Sequence, residues 1–186
     1  MNGKKILLLF IVIVFTACEN GNEPHKSTII EGETTLKTDS LPCFSFRAGK
    51  AFGYPSNENQ IADFFALVCI NETGRPTCLG LFANDDSETF AYIYPKNQIQ
   101  PDNLDTALLI FDTLSILDND LYYTHGICVE QGQVFAVKTK ENKYGLMVIT
   151  DAKYYRDTTD TLFESYEGYV TFKWKYQTNG SRSFDN

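Results

Sequence analysis

The sequence predicts one mainly β domain, built of antiparallel strands and containing at most one short helix. Two apolar runs, Gln133 to Lys140 and Tyr144 to Thr150, flank a polar segment, as expected for a β-hairpin. The run from Tyr169 to Gln177 then alternates apolar and polar residues, which is typical of a half-buried strand. The chain has 186 residues, 43% of them hydrophobic and 14% aromatic, so it can form one packed core.

The N-terminus has the pattern of an export leader. Lys4 and Lys5 precede an apolar run from Ile6 to Phe15, and small residues then lead to Cys18. A run of about 10 residues at about 1.5 Å per residue is too short to span a bilayer core of about 30 Å. The arrangement resembles a bacterial lipoprotein leader, with residues 1–17 as the signal peptide and Cys18 as the lipidated first residue. An ordinary secreted protein cleaved nearby is the alternative.

Residues 18–40 are predicted to be a flexible tether between the lipid and a domain spanning residues 41–186. The segment after Cys18 has no aromatic residue and is rich in Glu, Asn, Gly, Lys, Ser and Thr. We therefore expect a lipid-anchored protein of the bacterial outer membrane, either periplasmic or surface-exposed.

The first half of the domain reads as a series of strands. Cys43 to Arg47 alternates, and Gly49 permits a turn into the next segment. The run from Ile61 to Ile70 is rich in strand formers, and a turn-rich segment separates it from Thr77 to Ala83. These two runs predict a second hairpin.

The second half has one ambiguous segment between strands. Glu88 to Tyr94 alternates as a strand does. Pro101 to Asp120 fits a short helix, although Ala107 to Phe111 also fits a buried strand. The segment from Leu121 to Glu130 is expected to end in a strand. A turn at Gly132 is then expected to lead into the last hairpin.

The last hairpin is apolar on both faces, so we expect it to be central in a sheet and covered on both sides. A two-residue turn at Glu141-Asn142 would place Val137 opposite Leu146. In the final run, Val170, Phe172, Trp174 and Tyr176 share the apolar face. The opposite face, which carries Lys173 and Lys175, is expected to be wet.

Four cysteines follow Cys18, namely Cys43, Cys69, Cys78 and Cys128. An exported chain can form disulfides, and four cysteines allow two bridges with three connectivities. The local sequence supports a disulfide only between Cys69 and Cys78, because a two-residue turn at Thr73-Gly74 would place them opposite each other. A three-residue loop would shift that register, and free thiols are the alternative. The spacing Cys-x-x-Cys, which is typical of zinc sites, is absent, so the sequence does not predict such a site.

The net charge and the absence of catalytic motifs disfavour several classes of function. Without Lys4 and Lys5 the basic residues fall from 16 to 14 against 24 acidic ones, so the net charge changes from −8 to −10, which disfavours nucleic acid as a partner. His125 is the only histidine in the predicted domain, and neither a nucleophile elbow nor a phosphate loop occurs. We therefore expect a non-enzymatic protein.

Several segments together resemble the HmuY-type surface lipoproteins of Bacteroidetes. They are Phe44 to Gly49, Ile61 to Leu67, Gln133 to Thr139, Asn142 to Asp151 and Gly168 to Gln177. The resemblance implies an almost entirely β fold and haem capture for delivery to an outer-membrane transporter.

The family holds haem iron between two side chains, either His with His or Met with Met. The resemblance places His125 near the expected ligand position, with Tyr122 and Tyr123 beside it, whereas Met147 matches a packing position. It therefore implies haem or a porphyrin as the ligand. The rival hypothesis is an interaction module of the same fold that binds a protein or glycan partner and has lost the haem site.

Overall fold

The computed structural model describes residues 29–54, 61–85, 88–94, 103–159 and 164–185. The predicted leader and Cys18 lie outside these residues. The described chain is mainly β with one short helix, as predicted, and its strands form two antiparallel sheets. In chain order the elements are β1 (Ile29–Lys37), β2 (Cys43–Ser45), β3 (Lys50–Phe52), β4 (Phe64–Ile70), β5 (Pro76–Ala83), β6 (Phe90–Tyr94), α1 (Leu104–Thr113), β7 (Gly126–Val129), β8 (Val134–Lys138), β9 (Tyr144–Asp157) and β10 (Ser165–Gln177).

The two sheets pack face to face around the main core. The first sheet has the order β1-β10-β9-β8-β6 and the second sheet the order β3-β2-β4-β5-β7. The first contributes one face of its long strands, including Phe135, Phe172 and Trp174, and the second contributes Phe44 and Phe64. The ring centroids of Phe44 and Phe172 lie 5.1 Å apart with nearly perpendicular planes, a favourable arrangement for aromatic pairs.

A second core covers the other face of the first sheet. Helix α1 packs Ala107 and Phe111 against Ala136 and Val148, and the C-terminal segment adds Phe184. The prediction that the last hairpin is central and covered on both sides is therefore confirmed.

Of the two interpretations of the segment from Pro101 to Asp120, the helical one is correct. Asn103 caps α1, because its side chain accepts a hydrogen bond from the Asp105 backbone N–H at 2.8 Å.

Within the described residues, no helix is long and apolar enough to span a bilayer.

The predicted register of the last hairpin is wrong by one residue. Val137 lies opposite Gly145, not Leu146. The turn is longer than expected because Asn142 adopts a left-handed conformation with φ 56°, and the Thr139 N–H donates to the Lys143 carbonyl at 2.9 Å. Phe135 and Met147 consequently share the face that packs between the sheets.

The lysine face of β10 is drier than predicted. Lys173 is exposed, but the Lys175 ammonium lies 4.7 Å from the centre of the Phe111 ring and donates to the Phe111 carbonyl at 3.1 Å. Gln177 is fully buried. Helix α1 covers Lys175, and the C-terminal segment contacts Gln177, whose side-chain nitrogen donates to the Ser183 carbonyl.

The predicted tether is also shorter than expected. Residues 29–37 form β1, an edge strand paired with β10 along its whole length. Leu36 is fully buried in the main core, and Thr34 Oγ1 accepts a hydrogen bond from Trp174 Nε1 at 3.0 Å. The folded part therefore begins by Ile29, and not at residue 41.

Candidate functional site

The outer face of the second sheet carries a group of partly exposed aromatic side chains. On β4, Phe64 and Ala66 point into the main core, so the alternating residues Phe65 and Leu67 point outward. Phe65 stacks on Phe82 of β5, with ring centroids 6.0 Å apart and planes at 28°. We call Phe65, Phe82 and the adjacent His125 the aromatic face.

Two glycines leave room for the Phe82 ring to lie close to the sheet. A Cβ atom built on Gly126 would lie 2.6 Å from Phe82 Cδ1, and one built on Gly80 would also collide with the ring. Gly126 lies directly opposite Phe82 in the register of β5 and β7. The ring can lie across the strands only because these positions lack side chains, and its far side remains partly accessible.

A shallow hollow adjoins Phe65. It measures about 440 Å³ and is lined largely by apolar atoms, including those of Tyr54, Leu67 and Cys43. This volume lies within the range of small-molecule sites, about 300–1,000 Å³. The hollow extends the aromatic face away from His125.

Of the three residues predicted to hold haem, Tyr123 packs away from His125. His125 is exposed and immediately precedes β7, with the centroid of its ring 6.4 Å from that of Phe82. Tyr122 is 83% exposed. Tyr123 packs against the second core, where burial and the neighbouring Tyr144 raise its pKa to about 12. An iron-ligating tyrosinate must lose its proton, so this environment opposes that role for Tyr123.

The aromatic face therefore fits haem in part. His125 offers an imidazole next to apolar rings, the combination that a single axial ligand requires. Tyr123 belongs to a different surface and does not fit as a second ligand. If haem binds, His125 would hold the iron and Phe65 and Phe82 would contact the ring system.

The predicted disulfide is wrong in its partner. Cys69 does lie directly opposite Cys78, although the loop is the three-residue one, with the Asn71 N–H donating to the Arg75 carbonyl at 2.9 Å. A register shift between Cys69 and Ile70 restores the pairing of the two cysteines. The bridge, however, joins Cys78 to Cys128 of β7, with Cα atoms 5.8 Å apart, and Cys69 and Cys43 are free. Cys78 has a neighbouring strand on each side, and the bridge forms across β5 and β7.

A second cleft was missed by sequence reasoning. It measures about 430 Å³, and its walls include Arg47, Asp63, Glu141 and Tyr176. Burial raises the pKa of Asp63 to about 6, with a smaller contribution from the Glu141 charge, while hydrogen bonds from Phe46 and Ser45 act in the opposite direction. The sequence signal was available, since Asp63 is the one charged residue in the apolar run from Ile61 to Ile70.

The Asp63 carboxylate has a clear structural role in this cleft. Its Oδ2 accepts a hydrogen bond from the Phe46 backbone N–H at 2.7 Å, which fixes the turn between β2 and β3. Burial also raises the pKa of Tyr176 to about 12, and its ring stacks on that of Phe46. Of these two groups, Asp63 is therefore the one whose protonation we expect to change near pH 6.

Comparison of the chain with protein-family models, with curated proteins and with solved structures finds no match.

Proposed function

We propose that the chain is a lipid-anchored, non-enzymatic binding protein of the bacterial outer membrane, and that its aromatic face takes haem or a related porphyrin as cargo. The observation that carries the proposal is the position of His125 beside the stacked pair Phe65 and Phe82. A porphyrin is a flat apolar ring whose iron accepts an imidazole nitrogen. An outer-membrane transporter would receive the cargo.

Haemin titration of the full chain in detergent tests this proposal. A saturable Soret band is expected, and His125→Ala should abolish its shift because the iron loses its protein ligand. Tyr122→Phe is the matched control, since it removes only a hydroxyl from a side chain that is 83% exposed. An unchanged Soret band in His125→Ala would remove His125 as the ligand.

Metal-free protoporphyrin IX separates ring stacking from iron ligation. Its binding should survive His125→Ala and weaken in Phe82→Leu, because it has no iron but needs the flat ring. If neither porphyrin binds saturably, the haem proposal fails.

The alternative is an interaction module that uses the same face to bind a protein or glycan partner. Tyr54 favours it, because this aromatic side chain, which lines the hollow, is 75% exposed. Glycan binding that weakens in Phe82→Leu, with no porphyrin binding, would support this alternative.

The lipid anchor is tested separately. Inhibition of lipoprotein signal peptidase should cause a precursor with residues 1–17 attached to accumulate, and Cys18→Ala should prevent incorporation of labelled fatty acid. Processing that the inhibitor does not affect would contradict the anchor.

A further inference from the structure

Three cysteines meet on the outer face of the second sheet. Cys69, Cys78 and Cys128 belong to the adjacent strands β4, β5 and β7. Their three Sγ atoms all lie within 4.8 Å of one another. Two are joined in the Cys78–Cys128 disulfide, and the third, Cys69, is a free thiol beside it.

We propose that this cluster is a thiol–disulfide exchange site in which Cys78 pairs alternately with Cys128 and with Cys69. The Cys69 thiolate attacks Cys78 Sγ, and the Cys69–Cys78 bond forms as the Cys78–Cys128 bond breaks. Cys128 leaves as a thiolate and takes up one proton in place of the one that Cys69 lost. No electrons are gained or lost overall, so the step needs neither an oxidant nor a reductant.

Strand order decides which sulfur is attacked. Cys69 and Cys78 are direct partners on adjacent antiparallel strands, where Cα atoms lie about 4.5–5.5 Å apart, within the range for a disulfide. Strand β5 lies between Cys69 and Cys128. Two strand spacings place their Cα atoms about 10 Å apart, beyond the limit of about 7 Å. Cys78 is therefore the shared sulfur, and a Cys69–Cys128 bridge would require the backbone to move.

Exchange changes the thiol that the protein presents to solvent. Cys69 is half-buried, and a Cβ atom built on Gly80 would lie 2.7 Å from its Sγ, so the sulfur occupies the space above that glycine. Cys128 is exposed. The Cys78–Cys128 form consequently keeps its free thiol partly covered, and the Cys69–Cys78 form displays a free thiol that external disulfides can reach.

Peptide mapping of the full chain tests the exchange. The protein is held at about pH 8.5, where the attacking thiolate is more abundant, in the presence of N-ethylmaleimide. It is then acid-quenched, unfolded and cut after glutamate. Residues 59–72, 73–88 and 89–130 then carry Cys69, Cys78 and Cys128 separately. We expect maleimide on Cys128 together with a bridge between 59–72 and 73–88. Label on Cys69 alone, with the original bridge intact, would overturn the proposal.

Serine variants provide the controls. Cys128→Ser should form the Cys69–Cys78 bridge, whereas Cys78→Ser should leave both Cys69 and Cys128 as free thiols. In Cys69→Ser, Cys128 should remain bridged and unlabelled. Cys43 reports on folding in every variant, because it is free, 1% exposed and lies on the separate fragment 34–58. With Cys43 protected, a bridge in Cys78→Ser or a reduced Cys128→Ser would refute the assignment of Cys78 as the shared sulfur.

Discussion

Replacing Asp63 with asparagine should change how the stability of the fold depends on pH. The folded pKa of Asp63 is about 6, against 3.8 for an unperturbed aspartate. Between about pH 4 and pH 6 the unfolded chain loses this proton while the folded protein retains it, so the contribution of Asp63 to the free energy of unfolding falls as pH rises. A gap of about 2 pKa units sets a ceiling of about 3 kcal/mol, and residual solvent around the half-buried carboxyl reduces the expected loss to about 2 kcal/mol.

Urea unfolding at pH 4, 5, 6 and 7, followed by the fluorescence of the single tryptophan Trp174, measures this effect. The amide of the Asp63→Asn variant retains a side-chain oxygen that can accept the Phe46 N–H but does not ionise. The stability of the wild type relative to this variant should therefore decline from pH 4 to pH 6. Asp157→Asn is the control, because hydrogen bonds from Thr159 lower the pKa of Asp157, so its stabilising effect is lost only below about pH 4. The stability of the wild type relative to Asp157→Asn should therefore stay constant from pH 5 to pH 7. A difference between wild type and Asp63→Asn that stays constant with pH would refute the proposed titration of Asp63.

Two further predictions concern β1. A chain lacking residues 1–40 should be markedly less stable in thermal melts than one lacking residues 1–28, because it loses an edge strand and the buried Leu36; equal melting temperatures would contradict this. Thr34→Val should cost about 1–3 kcal/mol in urea unfolding by leaving the Trp174 indole N–H without its partner, whereas Thr35→Val, which removes an exposed hydroxyl pair, should cost less than about 0.5 kcal/mol.

Most of the strands could be predicted because their apolar residues either recur with a period of two or form a short continuous run. β1 lacks that signal, since the residues that face the core include Gly32 and Thr34, which leave room for the Trp174 ring. A Cβ atom built on Gly32 would lie 2.8 Å from Trp174 Cζ2. A strand shaped to accommodate a large neighbour shows polar and small residues in the sequence, and it resembles a tether.

The register of the last hairpin was predicted incorrectly because of the conformation of one turn residue. Asn142 adopts a left-handed conformation that lengthens the turn by one residue, and the sequence Glu-Asn-Lys is compatible with either turn length. Because side chains alternate along a strand, an error of one residue assigned the side chains of one strand to the wrong face of the sheet.

The candidate site was predictable only in part. His125 stood out as the only histidine of the domain, but the aromatic face depends on which side of β4 and β5 meets the core. The Cys78–Cys128 bridge depends on β5 and β7 being neighbours, although the two cysteines are 50 residues apart in sequence. Strand order of this kind arises from tertiary packing and leaves no pattern within either strand.

The location of the bound ligand is the most direct test of the proposed function. Gallium protoporphyrin IX is a diamagnetic substitute for haem that still accepts an imidazole, so amide chemical shifts of the labelled full chain can be followed during its titration. We expect the shifts to concentrate around Phe65, Phe82 and His125, while β10 is unaffected. Saturable shifts centred on the cleft around Asp63, or no saturable shifts at all, would contradict the assignment of the aromatic face as the porphyrin site.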